Sequence, residues 1–106
     1  MRLEARKYLF DIRRAAERIA RFCENKVFDD YRVDELLRSG VERQFEIMGE
    51  ALSQLVKHDP EVAERIKDDR KIIPLRNALT HAYATVDDRI VWGVVDGDLP
   101  ALRASL

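Results

Sequence analysis

The spacing of apolar residues limits most strongly what this chain can fold into. In the first quarter of the sequence, apolar side chains recur at intervals of three and four, at Tyr8, Ile12, Ala15, Ala16, Ile19, Phe22 and Cys23. This spacing places them on one face of an α-helix over about residues 4–25. No segment alternates apolar and polar residues in the way that a half-buried strand does. The sequence therefore predicts an all-α fold.

A second, longer helix is predicted over about residues 33–57. Its apolar face comprises Leu37, Val41, Phe45, Met48, Leu52 and Leu55. Gly40 and Gly49 lie inside this helix, where a glycine costs about 1 kcal/mol relative to alanine. Each glycine is therefore expected to allow a close backbone approach, although Gly40 can instead mark a break. A polar stripe follows the same helix, at Arg43, Glu46, Glu50, Gln54 and Lys57.

Turn signals separate these helices from a third one. Residues 25–30 are predicted to form a turn, in which Asp29 or Asp30 provides the N-cap of the second long helix. A proline at the first position predicts a short helix over residues 60–66, because proline is tolerated in a first turn. The charged residues 67–71 that follow are predicted to form an exposed loop.

Two further helices complete the predicted fold. Residues 74–84 form the fourth helix, and Asp87 or Asp88 suits the N-terminus of a fifth. Residues 97–100 are predicted to break or kink the fifth helix before a last short segment. The chain shows no linker or repeat, so residues 1–106 are expected to form one helical bundle of about five helices.

Composition excludes several classes of protein. The formal net charge of -1 gives no overall basic field that attracts nucleic acid. The single cysteine, Cys23, cannot form a disulfide within the chain, which suits a reducing cytoplasm, and its apolar neighbours predict a buried, inert thiol. Two histidines and one cysteine do not make a closed metal site, so no metal or cofactor is expected. No segment has the length and apolarity of a membrane span or a signal peptide.

Residues 72–86 nearly lack charge. Charged residues make up 37% of the chain, whereas this segment has one, Arg76. Its other polar side chains include Asn77, Thr80, His81 and Tyr83, and these residue types bind, orient or transfer protons. The segment is therefore the strongest candidate for a functional surface.

On a helical wheel these polar side chains form one arc, opposite an apolar one. Arg76, Thr80 and Tyr83 lie close together, with Asn77 and His81 further round. A guanidinium binds phosphate through paired hydrogen bonds, and an imidazole can exchange a proton near neutral pH. The arc therefore suits phosphoryl chemistry, in which Asn77, one turn from His81, would fix the imidazole or contact the substrate.

Cleavage of RNA by its own 2′-hydroxyl needs more groups than one copy offers. The reaction requires a base, an acid and a cation at the phosphorus. Two copies about a two-fold axis supply two histidines and two arginines, which predicts a site shared between subunits. In the structural alternative, His81 pairs with a nearby carboxylate and Arg76 with Glu46 or Glu50, and there is no active site.

Three sequence blocks resemble one known family. Arg76, His81 and Tyr83 match the Arg-four-His-one-Tyr signature of HEPN-domain toxins of the HepT-like family. Residues 43–51, with their Gly-Glu-Ala step, resemble the helix that precedes this signature. The Ile-Pro pair before the motif and residues 86–100 after it resemble the flanking segments.

The resemblance implies a fold and an activity. The fold would be an HEPN-type antiparallel helical bundle that forms a homodimer, or a higher even oligomer, through the motif. The activity would be metal-independent cleavage of RNA in the cytoplasm. Arg76 and His81 would be catalytic, with Asn77 as a polar helper. Apart from the resemblance, Thr80 on the polar arc and Glu46 and Glu50 on the second helix are the further supporting candidates, the two glutamates because they would hold Arg76 in place.

The resemblance also implies a partner. This would be a minimal nucleotidyltransferase antitoxin, which can transfer AMP from ATP to the motif tyrosine, here Tyr83. The basic stripe of the first helix, at Lys7, Arg14, Arg18 and Arg21, is then either a solvated face or a surface for RNA or an acidic partner. The alternative function is a non-catalytic nucleotide-binding or scaffold partner of a nucleotidyltransferase.

Overall fold

A computed structural model describes residues 2–66, 70–81 and 86–106, and within these ranges the regular structure is helical throughout. The elements in chain order are α1 (Leu3–Phe22), α2 (Phe28–Val33), α3 (Glu35–His58), α4 (Pro60–Ala63), α5 (Ile72–His81), α6 (Asp88–Gly93), a π-helical segment (Val94–Asp98) and α7 (Leu99–Ser105). The predicted all-α fold is confirmed.

Helix α3 is the centre of the packing. It contacts α1 along much of its length and also packs against α2, α4 and α5. Five of the six residues of its predicted apolar face are buried, and they are Val41, Phe45, Met48, Leu52 and Leu55. The face of α1 that packs on them contains Ile12 and Ile19, which are fully buried. The three- and four-residue spacing thus specifies the sides of α1 and α3 that form the core.

The connection between α1 and α3 differs from its prediction. Residues 28–33 form the short helix α2, in which the Asp30 carboxylate accepts a hydrogen bond from the Val27 backbone N–H at 2.8 Å. Asp34, not Asp29 or Asp30, is the N-cap of α3, and it accepts from the Leu37 N–H at 3.0 Å. The prediction was wrong because several nearby aspartates are suitable caps, and tertiary packing selects among them.

Two predicted interruptions are absent from the described helices. Helix α3 runs unbroken through Gly40. The chain is not broken at residues 97–100, where a break or kink was predicted, although its geometry departs from an α-helix just before: the π-helical segment Val94–Asp98 leads directly into α7. Pro100 lies in the first turn of α7, where backbone N–H groups lack an intrahelical acceptor and proline costs little. Pro74 is tolerated for the same reason, because α5 begins two residues earlier than predicted, at Ile72.

Several smaller predictions can also be compared with the structure. Cys23 is buried, and burial raises the pKa of its thiol to about 11, so the prediction of an inert cysteine is confirmed. Asp87 is the N-cap of α6, as predicted. In the predicted loop over residues 67–71, Arg70 and Lys71 are exposed, while residues 67–69 lie outside the described ranges. No described helix is both long and apolar enough to cross a bilayer.

Candidate active site

Helix α5 approaches α3 most closely at Gly49. A Cβ atom added to Gly49 would lie 2.3 Å from the Cβ of Arg76 and 3.3 Å from the backbone oxygen of Ile72. No residue with a side chain fits there without a shift of one helix. Glycine therefore allows the approach that brings Arg76 over the middle of α3, next to Glu50. The expectation of a close backbone approach at Gly49 is confirmed.

The Arg76 guanidinium is held from two sides. Its Nη2 donates to Oε2 of Glu50 at 2.6 Å, and its Nη1 donates to Oδ1 of Asn77 at 2.9 Å. The other Glu50 oxygen accepts from Nε2 of Gln54 at 3.3 Å. A guanidinium has five N–H donors, so three remain for a ligand. The arrangement fixes the orientation of Arg76 without using up its capacity to bind phosphate.

The two predicted supporting glutamates have different partners. Glu46 lies one turn before Glu50 and pairs with Arg43 at 3.5 Å. Of these two glutamates, only Glu50 forms an ion pair with Arg76. Sequence reasoning predicted that α3 would hold Arg76, but it left open which carboxylate does so.

A groove of about 410 Å³ opens beside this ion pair, between α1, α3 and α5. Three cations and three carboxylates line it, and they are Lys7, Arg43, Arg76, Asp11, Glu46 and Glu50. Tyr8, Gln54 and Thr80 contribute to the same wall. The sequence prediction missed Tyr8 and Asp11, which reach the groove only because α1 packs across α3. Lys7 was singled out solely as part of a basic stripe.

The structure does not bring Arg76 and His81 together within one protomer. His81 is the last described residue of α5, is exposed, and does not line the groove. Five residues separate the two side chains, which corresponds to about 140° around a helix. The Asn77 side-chain oxygen accepts a hydrogen bond from Arg76, and the predicted role of Asn77 toward the imidazole of His81 or the substrate stays a prediction. Tyr83 lies outside the described residues.

No metal-binding cluster is found in the part of the chain that the structure describes. There, no group of three or more His, Cys, Asp or Glu side chains is placed to hold an ion. The predicted site residues Arg76, His81, Asn77 and Thr80 offer guanidinium, imidazole, amide and hydroxyl groups, and the groove adds carboxylates and an ammonium. These suit the binding of a phosphodiester and the transfer of protons to and from it.

Comparison with known proteins identifies the family. The family model described as "Ribonuclease HepT-like" matches residues 12–106. The protein "Probable ribonuclease HepT" of Thermococcus cleftensis is 34% identical, over 97% of this chain and 93% of its own. "Putative RNase TTE0752" of Caldanaerobacter subterraneus subsp. tengcongensis is 30% identical, over 92% of this chain and 87% of its own.

A third relative is more distant. "Putative RNase MJ1380" of Methanocaldococcus jannaschii is 26% identical, over 94% of this chain and 91% of its own. No solved structure matches the chain significantly. The family match includes α3, with Gly49 and Glu50, and α5, with Arg76 and His81. Because the match extends over nearly the whole helical domain, the chain belongs to the ribonuclease HepT-like family.

Proposed function

We propose that this protein is a metal-independent endoribonuclease, with Arg76 and His81 as its catalytic residues. The observation that carries the proposal is the Arg76 guanidinium, which is oriented by Glu50 and Asn77 and keeps free donors beside an open groove. The names of the relatives, which include ribonuclease, support the same activity.

The chemistry is cleavage of a phosphodiester by the neighbouring 2′-hydroxyl. His81 accepts the 2′-hydroxyl proton while the 2′-oxygen forms a bond to phosphorus and the bond from phosphorus to the 5′-oxygen breaks. A second imidazole donates a proton to the departing 5′-oxygen. Arg76 binds the non-bridging oxygens, whose charge increases in the transition state. The products are a 2′,3′-cyclic phosphate and a 5′-hydroxyl.

The need for two imidazoles supports a homodimer. His81 is exposed on α5, so a second protomer that packs against this helix would place its own His81 nearby. A two-fold axis there would bring the two histidines and the two arginines of the dimer to one shared groove. This arrangement accounts for the separation of the two side chains within one chain.

Two substitutions test the activity. His81→Ala and Arg76→Lys are expected to reduce cleavage of a labelled RNA by at least about 100-fold. Cleavage by the wild type should persist in EDTA and leave 2′,3′-cyclic phosphate ends. Circular dichroism should confirm that both variants fold.

The same assay separates the alternative function. Binding of ATP or AMP without RNA cleavage would favour a non-catalytic partner of a nucleotidyltransferase. Cleavage by both variants at the wild-type rate would refute the assignment of Arg76 and His81.

The biological role that we propose is that of a cytoplasmic toxin paired with a minimal nucleotidyltransferase antitoxin. AMP would be transferred to the Tyr83 hydroxyl with release of pyrophosphate from ATP. On the helical wheel predicted from the sequence, Tyr83 lies about 20° from Arg76, so the added anion would block the phosphate contact of Arg76. Co-expression with the nucleotidyltransferase should add the mass of AMP to the wild type and not to Tyr83→Phe. An unmodified wild type would refute this mode of inhibition.

A further inference from the structure

The groove beside Arg76 contains charges that the fold itself does not pair. Arg43 and Arg76 each have a carboxylate partner on α3. Lys7 and Asp11, which both come from α1, have no ion pair or hydrogen bond of their side chains with other described residues. Among the described residues, Lys7 is thus the cation of this groove that pairs with no carboxylate, which leaves its ammonium group to a ligand.

An aromatic ring lies next to this cation. Tyr8 lines the groove and is half-buried, and its ring stacks on His58 with a centroid distance of 5.6 Å and an interplanar angle of 28°. The His58 contact and the packing of α1 on α3 hold the ring in place. A fixed aromatic ring beside a free ammonium is the combination that binds single-stranded nucleic acid, because every base has a face that can stack.

We propose that this groove is a subsite for the nucleotide next to the scissile phosphate of a single-stranded RNA. Lys7 binds the phosphate of that nucleotide, and its base stacks on Tyr8. The bases of a duplex are stacked on one another and cannot enter, so the subsite selects unpaired segments. The inference rests on the proposed function, because it takes Arg76 as the contact to the phosphate that is cut.

Binding without cleavage tests the subsite directly. The probe is a fluorescent 2′-O-methyl RNA oligonucleotide, which lacks the attacking hydroxyl, and binding is followed by anisotropy at several salt concentrations. Lys7→Met is expected to weaken binding and to lower the slope of log affinity against log salt by about 0.7, as for one lost phosphate contact. Tyr8→Leu, which keeps apolar bulk but removes the ring, is expected to weaken binding at least about fivefold.

Two control variants show whether the losses come from the Tyr8 ring and from the position of the Lys7 charge. Tyr8→Phe keeps the ring and should restore the affinity that Tyr8→Leu loses. Arg13 is exposed on another face of α1, where it lines a separate shallow cavity with Glu17 and Arg103, so Arg13→Met removes the same charge from outside the groove. Circular dichroism should show unchanged helix content in all four variants.

The outcomes distinguish this inference from the proposed function. Wild-type affinity in Lys7→Met and Tyr8→Leu, an equal loss in Arg13→Met, or equally tight binding of the duplex form of the probe would overturn the subsite. RNA cleavage that depends on Arg76 and His81 would stand in each case. If the Arg76 and His81 variants cleave like the wild type, the proposed function fails, whatever the groove binds.

Discussion

At the scale of single residues, the partner of Arg76 matters more for position than for stability. The Glu50 side chain is 51% exposed, and an ion pair with so exposed a member contributes little to the free energy of folding. Its short contact nevertheless fixes one edge of the guanidinium, while Asn77 fixes the other. A guanidinium that is already oriented before the reaction stabilises the negative charge of the transition state without the cost of reorientation.

The contribution of Glu50 can be measured with two matched substitutions. Glu50→Gln keeps the shape of the side chain but removes the negative charge that holds the Arg76 guanidinium. We therefore expect kcat for RNA cleavage to fall about tenfold, with little change in KM. Glu46→Gln leaves the Glu50–Arg76 pair intact and should cause a smaller loss of kcat. Equal values for the two variants would contradict the assignment of Glu50 as the positioning residue.

At the scale of helices, the distance between α3 and α5 depends on one missing side chain. The two glycines of α3 lie in different surroundings. A Cβ at Gly49 would overlap Arg76, whereas a Cβ at Gly40 would lie 3.5 Å from the Phe22 ring, an ordinary contact. Helix packing therefore requires a glycine at position 49 but not at position 40.

This contrast predicts opposite effects of the same substitution. Gly40→Ala should raise the free energy of unfolding by up to about 1 kcal/mol, because alanine is the better helix former. Gly49→Ala should lower it by about 1 kcal/mol or more, since overpacking outweighs the gain in propensity. Urea denaturation measures both differences. A Gly49→Ala variant as stable as Gly40→Ala would contradict the close approach of α5.

The helices also mark what the sequence can predict. The apolar faces of α1 and α3 and the cap at Asp87 follow from local spacing and local hydrogen bonds, so they were predicted correctly. The cap at Asp34 and the partner of Glu46 could not be predicted, because neighbouring residues of the same type could form the same contacts. Several aspartates could cap α3, and either of two glutamates could pair with Arg76. Tyr8 reaches the groove through contacts between helices distant in sequence, and no periodicity within one helix indicates such contacts.

At the scale of the whole molecule, the central expectation is a site made from two copies. One protomer places Arg76 at the groove, while His81 does not line that groove, so a single protomer does not bring the two predicted catalytic side chains to one place. A dimer would supply both. Activity should then belong to the pair of protomers rather than to each one.

Mixing active and inactive chains tests this expectation. Wild type and an Arg76→Ala, His81→Ala double variant are co-expressed in equal amounts, and native mass spectrometry confirms random pairing. If each site needs both protomers, about one quarter of the dimers are active. Activity per total protein should then be about one quarter of the wild-type value. A value of one half would mean that each protomer works independently.

The equal numbers of cations and carboxylates in the groove have a consequence for how the protein would search for RNA. Opposite charges a few ångströms apart cancel at distances beyond the Debye length, and the chain as a whole is nearly neutral. Long-range attraction therefore neither accelerates encounters nor retains the protein on bulk RNA. Such an enzyme would bind most RNA only weakly. It would bind tightly only where an unpaired nucleotide contacts Lys7 and Tyr8 in the groove.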